Sequence, residues 1–269
     1  MLKAIRFITI LLLSSLFSYH EDTMKEKGES NLTNHMHLKA PQAMIFDMDG
    51  TLFETDTLLI GVHERIFATL REEKLYMEPT PPVEKLLGCL GMLLHDIWNQ
   101  VMPDSSKAAR DRADELMLQY ELEGLEAGEG SLYPHVEATL KTLKAQGMKL
   151  FVASNGLEHY VKGVAQHKGI KPLFDGLYSA GEYETATKVD LVARLLKDHA
   201  IESAWMIGDR SSDVEAGKGN GLAVVGCAYA VYGRKEELAG ADALISDFRE
   251  LLTLSNGETA SDSSEESNR

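Results

Sequence analysis

The sequence predicts an α/β protein: a doubly wound parallel sheet with an α-helical bundle inserted into it. Three observations carry that prediction. Short apolar runs bounded by Gly, Pro or polar residues alternate with segments of helical periodicity through the second half of the chain, the pattern of a parallel sheet covered on both faces. Between residues 56 and 127 helical spacing runs without a strand pattern. Reactive polar residues follow three of the apolar runs at their C-terminal ends, where open parallel sheets bind ligands.

In chain order, Ala43-Met44-Ile45-Phe46 follows Pro41 and ends at Asp47-Met48-Asp49-Gly50, so it reads as a buried strand that delivers two acids. Leu58, Val62, Ile66 and Leu70 share one helical face, and Pro79, Pro81 and Pro82 break that helix. Further helical stretches start near Val83 and cover Leu93 to Val101. Pro103-Asp104 opens a long helix with Ala113, Leu116, Met117 and Tyr120 on one face. Three glycines between Gly124 and Gly130 mark a hinge. Val136, Leu140 and Leu143 then make a helix closed by Gly147. Lys149 to Ala153 is a buried strand ending at Ser154-Asn155-Gly156, and Leu157, Val161 and Val164 give the next helix. Gly176 to Ser179 is a weaker strand. Val189, Val192, Leu195 and Leu196 mark a helix opened by Lys188. Ala204 to Ile207 ends at Gly208-Asp209. Leu222 to Gly226 and Ala243 to Ile245 complete the strands, and Phe248 to Leu254 closes the domain. The expected division is a core of residues 41–55 and 131–254, a helical cap of 56–130, and extensions of 1–40 and 255–269.

The 269 residues are 44% apolar and 26% charged, ordinary for a globular chain with a sizeable core. A net charge of −15 and the lack of a basic stripe argue against nucleic acid as a partner. Cys89 and Cys227 stand too far apart in sequence to suggest a disulfide framework or zinc spacing, and read as buried thiols. Nine histidines are scattered without ligand spacing. Lys3 and Arg6 precede an apolar run from Phe7 to Phe17 that looks like a signal peptide, but no small-residue cleavage site follows. Two readings stand: an export or anchor sequence within residues 1–20, or a start placed too early, with Met24, Met36 or Met44 nearer the true one. The onset of the folded domain near Ala40 favours the second and a cytoplasmic location. Asn31-Leu32-Thr33 matches a glycosylation sequon of low specificity. The Ser- and Glu-rich segment from Ser255 is expected to be disordered.

Any one strand-end acid is ordinarily a turn former or helix cap. Convergence of Asp47, Asp49, Asp209 and Asp213 on one sheet edge is different, because four carboxylates repel one another without a cation. A hard divalent ion, magnesium by its oxygen ligands, resolves the conflict. A calcium loop starting at Asp47 fails, since Leu52 and Leu58 stand where Gly and Glu are required. Gly217-Lys218-Gly219-Asn220-Gly221 precedes a strand and lacks the ending of a phosphate loop, so it reads as a turn.

Asp47-Met48-Asp49-Gly50-Thr51, Ser154, Lys188, and Gly208-Asp209 with Asp213 resemble, in order and spacing, the four signature motifs of the haloacid dehalogenase (HAD) superfamily. The layout is most similar to its phosphoglycolate phosphatase-like and phosphoglucomutase-like members. The resemblance implies a Rossmann-like core with a helical cap and phosphoryl transfer through an aspartyl-phosphate. In it Asp47 is the nucleophile and Asp49 the acid/base, whose backbone carbonyl also ligates the metal. Thr51, Ser154, Asn155 and Lys188 are the expected phosphate-binding residues. Asp47, Asp49, Asp209 and Asp213 are the expected magnesium site, with Asp213 in question because Arg210 could pair with it. Glu54, Thr55 and Asp56 could line the entrance, and Gly88 and Gly91 either form a loop facing the site or merely punctuate helices.

The implied function is a magnesium-dependent phosphatase for a small phosphorylated metabolite, whether phosphoglycolate-like, a sugar phosphate or a nucleotide monophosphate. A phosphomutase acting on a sugar phosphate is the enzymatic alternative. A non-catalytic binding module is the alternative from another class, though no motif acid or lysine is missing. Oligomeric state is not legible.

Overall fold

A computed structural model describes residues 38–256, apart from residues 93, 233 and 234 and the side chains of 94, 95 and 235. The N-terminal apolar run, the sequon and the acidic segment from residue 257 lie outside the described residues. No helix among the described residues is long and apolar enough to cross a membrane.

Strand β1 (Ala43–Phe46) is completely buried. After it come the two-residue strand β2 (Phe53–Glu54) and the helices α1 (Asp56–Glu72), α2 (Val83–Leu87), α3 (Leu94–Val101) and α4 (Lys107–Glu126). Strand β3 (Ser131–Leu132) and helix α5 (Val136–Ala145) lead back to β4 (Lys149–Ser154). Then follow α6 (Glu158–His167), β5 (Gly176–Ser179), the single turn α7 (Ala180–Tyr183), α8 (Lys188–Asp198), β6 (Ala204–Gly208), α9 (Ser211–Gly219), β7 (Ala223–Cys227), β8 (Ala243–Ile245) and α10 (Glu250–Ser255).

Six strands form one parallel sheet in the order β5-β4-β1-β6-β7-β8. The order reverses direction at β1, which has β4 on one side and β6 on the other. That switch point opens a crevice at the carboxyl ends of these three strands. Strand periodicity sorts the side chains: Met44 and Phe46 join the core on one face, Ala43 and Ile45 the core on the other. The second core is completed by Leu191, Val192 and Leu195 of α8. The fold is therefore the predicted Rossmann-like sheet with an inserted helical region.

Two boundaries differ from the expectation. Helix α1 ends at Glu72, well before the prolines. Lys74 adopts a left-handed conformation (φ 60°), and Leu75 N–H donates to Leu70 O (2.9 Å), a C-terminal cap that stops the helix by itself. Helix α4 starts at Lys107 rather than at Pro103, because the Ser106 hydroxyl caps it by accepting from Ala109 N–H (3.1 Å). The antiparallel pair β2/β3 was not anticipated. It ties the outgoing strand of the cap insertion to the returning one, Phe53 opposite Leu132 and Glu54 opposite Ser131. Gly130 sits beside it with φ 76°, its Cα so close that an added Cβ would stand 2.4 Å from the Phe53 ring. Cys89 and Cys227 are buried and free, as expected.

Candidate active site

The end of β1 positions the first two acids. Asp47 continues the ladder by donating its N–H to Ile207 O of β6 (2.9 Å), which anchors its side chain at the switch point. Gly50 then turns the chain at φ 77°. A Cβ there would lie 2.4 Å from Asp209 Oδ2, so only glycine lets the first loop pass this close to the acid at the end of β6. Gly208 is constrained in the same way: a Cβ would overlap the Asp213 carboxyl.

Asp47, Asp209 and Asp213 each offer an oxygen within 4.8 Å of the others, and all three are buried. Lys188, the first residue of α8, lies beneath them. Its Nζ is 2.8 Å from Asp47 Oδ1 and 2.7 Å from Asp213 Oδ1. Burial lowers the lysine's affinity for its proton, but the two carboxylates outweigh burial and hold the ammonium charged, above its usual range. One cation does not balance the three acids. Burial and the repulsion of Asp47 push Asp209 well above the carboxylate range, and burial pushes Asp213 up to about 6 against the pull of Lys188. Asp47 Oδ2 is buried with no hydrogen-bond partner. An all-oxygen donor set with an orphaned oxygen on Asp47 and raised acids at Asp209 and Asp213 fits a hard divalent cation, and among those magnesium.

The Arg210 side chain does not pair with Asp213. Asp213 Oδ2 accepts from the backbone N–H of Arg210 (3.0 Å), a helix-capping contact, so Asp213 is held by Lys188 and the main chain. The Arg210 guanidinium points elsewhere, to Gly88 O (3.0 Å), Tyr232 O (2.9 Å) and Glu237 (3.5 Å).

Asp49, expected among the metal-binding acids, is not one of the three grouped carboxylates. Its Oδ1 accepts from the Tyr160 hydroxyl (2.5 Å) and the Thr55 hydroxyl (2.7 Å). Burial, reinforced by Asp47, raises Asp49 to about 6 despite these bonds. A carboxyl near neutrality can both give and take a proton. Thr51 does not present a free hydroxyl: its Oγ1 donates to Asp209 Oδ1 (3.2 Å), and its carbonyl accepts from Tyr229 (2.7 Å). Ser154, the last residue of β4, is buried, and its Oγ accepts from Gly156 N–H (3.1 Å). Asn155 donates its Nδ2 to Gly91 O (2.7 Å), leaving Oδ1 buried without a partner. Gly88 and Gly91 thus belong to a cap loop that docks on the site through Asn155 and Arg210. Asp47, Asp49, Ser154, Asn155 and Gly91 all line one cavity under the cap.

Tyr160 and Glu121 were missed in the sequence. Tyr160 lies on the helix after Ser154, beside the recognised apolar positions. Glu121 extends the i, i+4 series of Ala113 and Met117 on α4, and an acid in a buried stripe is the signal that marks it.

Residues 44–227 match the model of the haloacid dehalogenase-like hydrolases. The chain belongs to that family. It is similar to a phosphoglycolate phosphatase of Rhodospirillum rubrum, 29% identical over 78% of this chain and 89% of that one. It is also similar to the pyrophosphatase PpaX of Listeria monocytogenes, 26% identical over 78% of this chain and 94% of that one. Among solved structures, a predicted phosphatase from Clostridium acetobutylicum superposes with a TM-score of 0.65 at 25% identity, covering 79% of this chain and 97% of that one. The protein is accordingly a HAD hydrolase of the phosphatase type, with a helical cap and an aspartate cluster suited to a divalent metal.

Proposed function

We propose that this HAD hydrolase removes phosphate from a small phosphorylated metabolite through an aspartyl-phosphate on Asp47. The observation that carries the reading is the buried triad Asp47, Asp209 and Asp213 around Lys188, with an orphaned oxygen on Asp47. Asp47, Asp209 and Asp213 would hold the magnesium ion, which when bound neutralises charge on the phosphoryl oxygens. Lys188 pairs with Asp47 and adds positive charge next to the attacked group. The Asp47 carboxylate attacks phosphorus as the ester oxygen leaves, and Asp49 gives that oxygen a proton. Asp49 then takes a proton from water, which attacks the acyl-phosphate and frees Asp47 and inorganic phosphate. The Ser154 hydroxyl and the main-chain N–H groups around Asn155 hold the phosphoryl oxygens. Thr51 supports this by orienting Asp209. Phosphoglycolate and pyrophosphate are the substrates that the relatives' names put forward.

Purified protein should release phosphate from small phosphomonoesters when magnesium is present, and Asp47→Asn should lower turnover by about 10³-fold or more, the scale on which loss of a nucleophile reads. Full activity in that variant overturns the reading.

A further inference from the structure

We infer that the cap admits the phosphomonoester of a short, largely apolar alcohol bearing a protonated amine, and that Glu121 is the residue that reads the positive charge. The inference rests on the phosphatase reading and, on the cavity's lining, departs from the two anionic substrates that the relatives' names put forward.

The cavity above Asp47 and Asp49 measures about 60 Å³, room for only a few water-sized groups. Its far wall is apolar, formed by Leu59, Met92, Ile97, Met117 and Leu157 among others. Glu121 of α4 lines the same wall, is only 6% exposed, and makes no hydrogen bond or ion pair among the described residues. A buried carboxyl without a partner is costly unless something supplies donors or positive charge. Burial, and then the charge of Asp49, raises the Glu121 pKa well above the carboxylate range, so a cation bound beside it is what would favour its ionised form.

Other polar groups of the cavity point the same way. Asn155 Oδ1 is a second acceptor without a partner, while one N–H of the same amide is engaged with Gly91 O. The Tyr160 hydroxyl is engaged with Asp49. Beyond Asp47, the polar side-chain atoms left without a partner in this cavity among the described residues, the Glu121 carboxylate and Asn155 Oδ1, are acceptors. An ammonium, with three N–H donors and no acceptor, complements that set. A carboxylate or second phosphate does not: no Lys or Arg occurs among the described residues lining the cavity. Lys188 is held by Asp47 and Asp213, Arg210 by two carbonyls and Glu237, and Lys162 by Glu158 and Glu182. A sugar would place several hydroxyls against methyl-rich walls that cannot pair with them.

The test is a length-matched series of 3-aminopropyl, n-butyl and 2-carboxyethyl phosphate, with glucose 6-phosphate as the polyol. With magnesium, kcat/KM should rank aminopropyl first, butyl next at about tenfold lower, and carboxyethyl about 100-fold lower, the span expected when a buried polar group is paired or opposed. Glu121→Gln, near-isosteric and checked for folding by its melting transition, should bring the aminopropyl-to-butyl ratio close to one. Calorimetry on Asp47→Asn should show aminopropyl phosphate binding more tightly than carboxyethyl phosphate. A preference for carboxyethyl or glucose phosphate, or a ratio that Glu121→Gln leaves in place, overturns the substrate class alone. If Asp47 also forms no beryllofluoride adduct and no ester is hydrolysed, the phosphatase reading falls and takes this inference with it. Should the adduct form without turnover of any ester, the calorimetric order decides.

Discussion

Asp49 is held by two hydroxyls from different parts of the chain, Thr55 just past the first loop and Tyr160 on α6. A hydrogen bond to a charged acceptor contributes about 1.5–3 kcal/mol, so Tyr160 does much to set where the Asp49 carboxyl points. Tyr160→Phe should lower kcat by about tenfold, by loosening the acid/base, with a much smaller change in KM. Steady-state kinetics on one good substrate separates this from a substrate contact, which would instead raise KM and spare kcat. Asp47 and Asp49 were legible as a pair from their spacing after a short apolar run. Their different partners were not, because Tyr160 stands 111 positions from Asp49 and nothing local announces the contact.

The cap insertion leaves and rejoins the core through β2 and β3, two residues each. Elements so short carry no periodicity, so only the three glycines flagged the junction. Gly130 is the constrained one of them at this ribbon: it combines a positive φ with contact against Phe53. Gly130→Ala should destabilise the protein by about 1–2 kcal/mol or more, since neither the backbone conformation nor the space suits a methyl group. Thermal melting reads this directly, and an unchanged melting temperature would show that the ribbon yields easily. The long helices of the cap were visible because Leu58, Val62, Ile66 and Leu70 repeat at helical spacing and are all buried. Glu121 lay within such a stripe on α4. Only the packing of α4 over the site shows that its carboxyl meets a cavity rather than solvent.

The molecule carries an electrostatic conflict at its centre. Asp209 and Asp213 bind protons more tightly when folded than as free carboxylates. For an acid whose folded pKa is raised, stability is greatest below the unfolded value near 4 and falls as pH rises through the folded one. In the fold without metal these two acids therefore cost stability as pH rises above the unfolded carboxylate value, and magnesium binding offsets the repulsion by mass action. Asp209→Asn should melt higher than the unsubstituted protein in a chelator at pH 7.5, and the gap should close by pH 4.5. The same variant should lose both the magnesium-induced rise in melting temperature and the phosphatase activity. A variant that melts lower at pH 7.5 would show that Asp209 stabilises the fold even without metal.

Local patterns settled a good deal before any tertiary contact was known. Apolar runs and helical repeats implied the parallel sheet and the inserted helices, and the acids after β1 and β6, with Ser154 after β4, implied one binding edge. Those features are legible because strand and helix periods are properties of a few consecutive residues, and strand ends in a parallel sheet share one side. The fold itself had to supply the strand order, the close passage of Gly50 by Asp209, the ion pairs of Lys188 with Asp47 and Asp213, and the engagement of Thr51 with Asp209. It also had to bring Glu121 into the cavity. Each of these is a meeting of residues far apart in the chain, and whether a carboxyl there faces water, a lysine or an apolar wall depends on what the rest of the molecule packs around it.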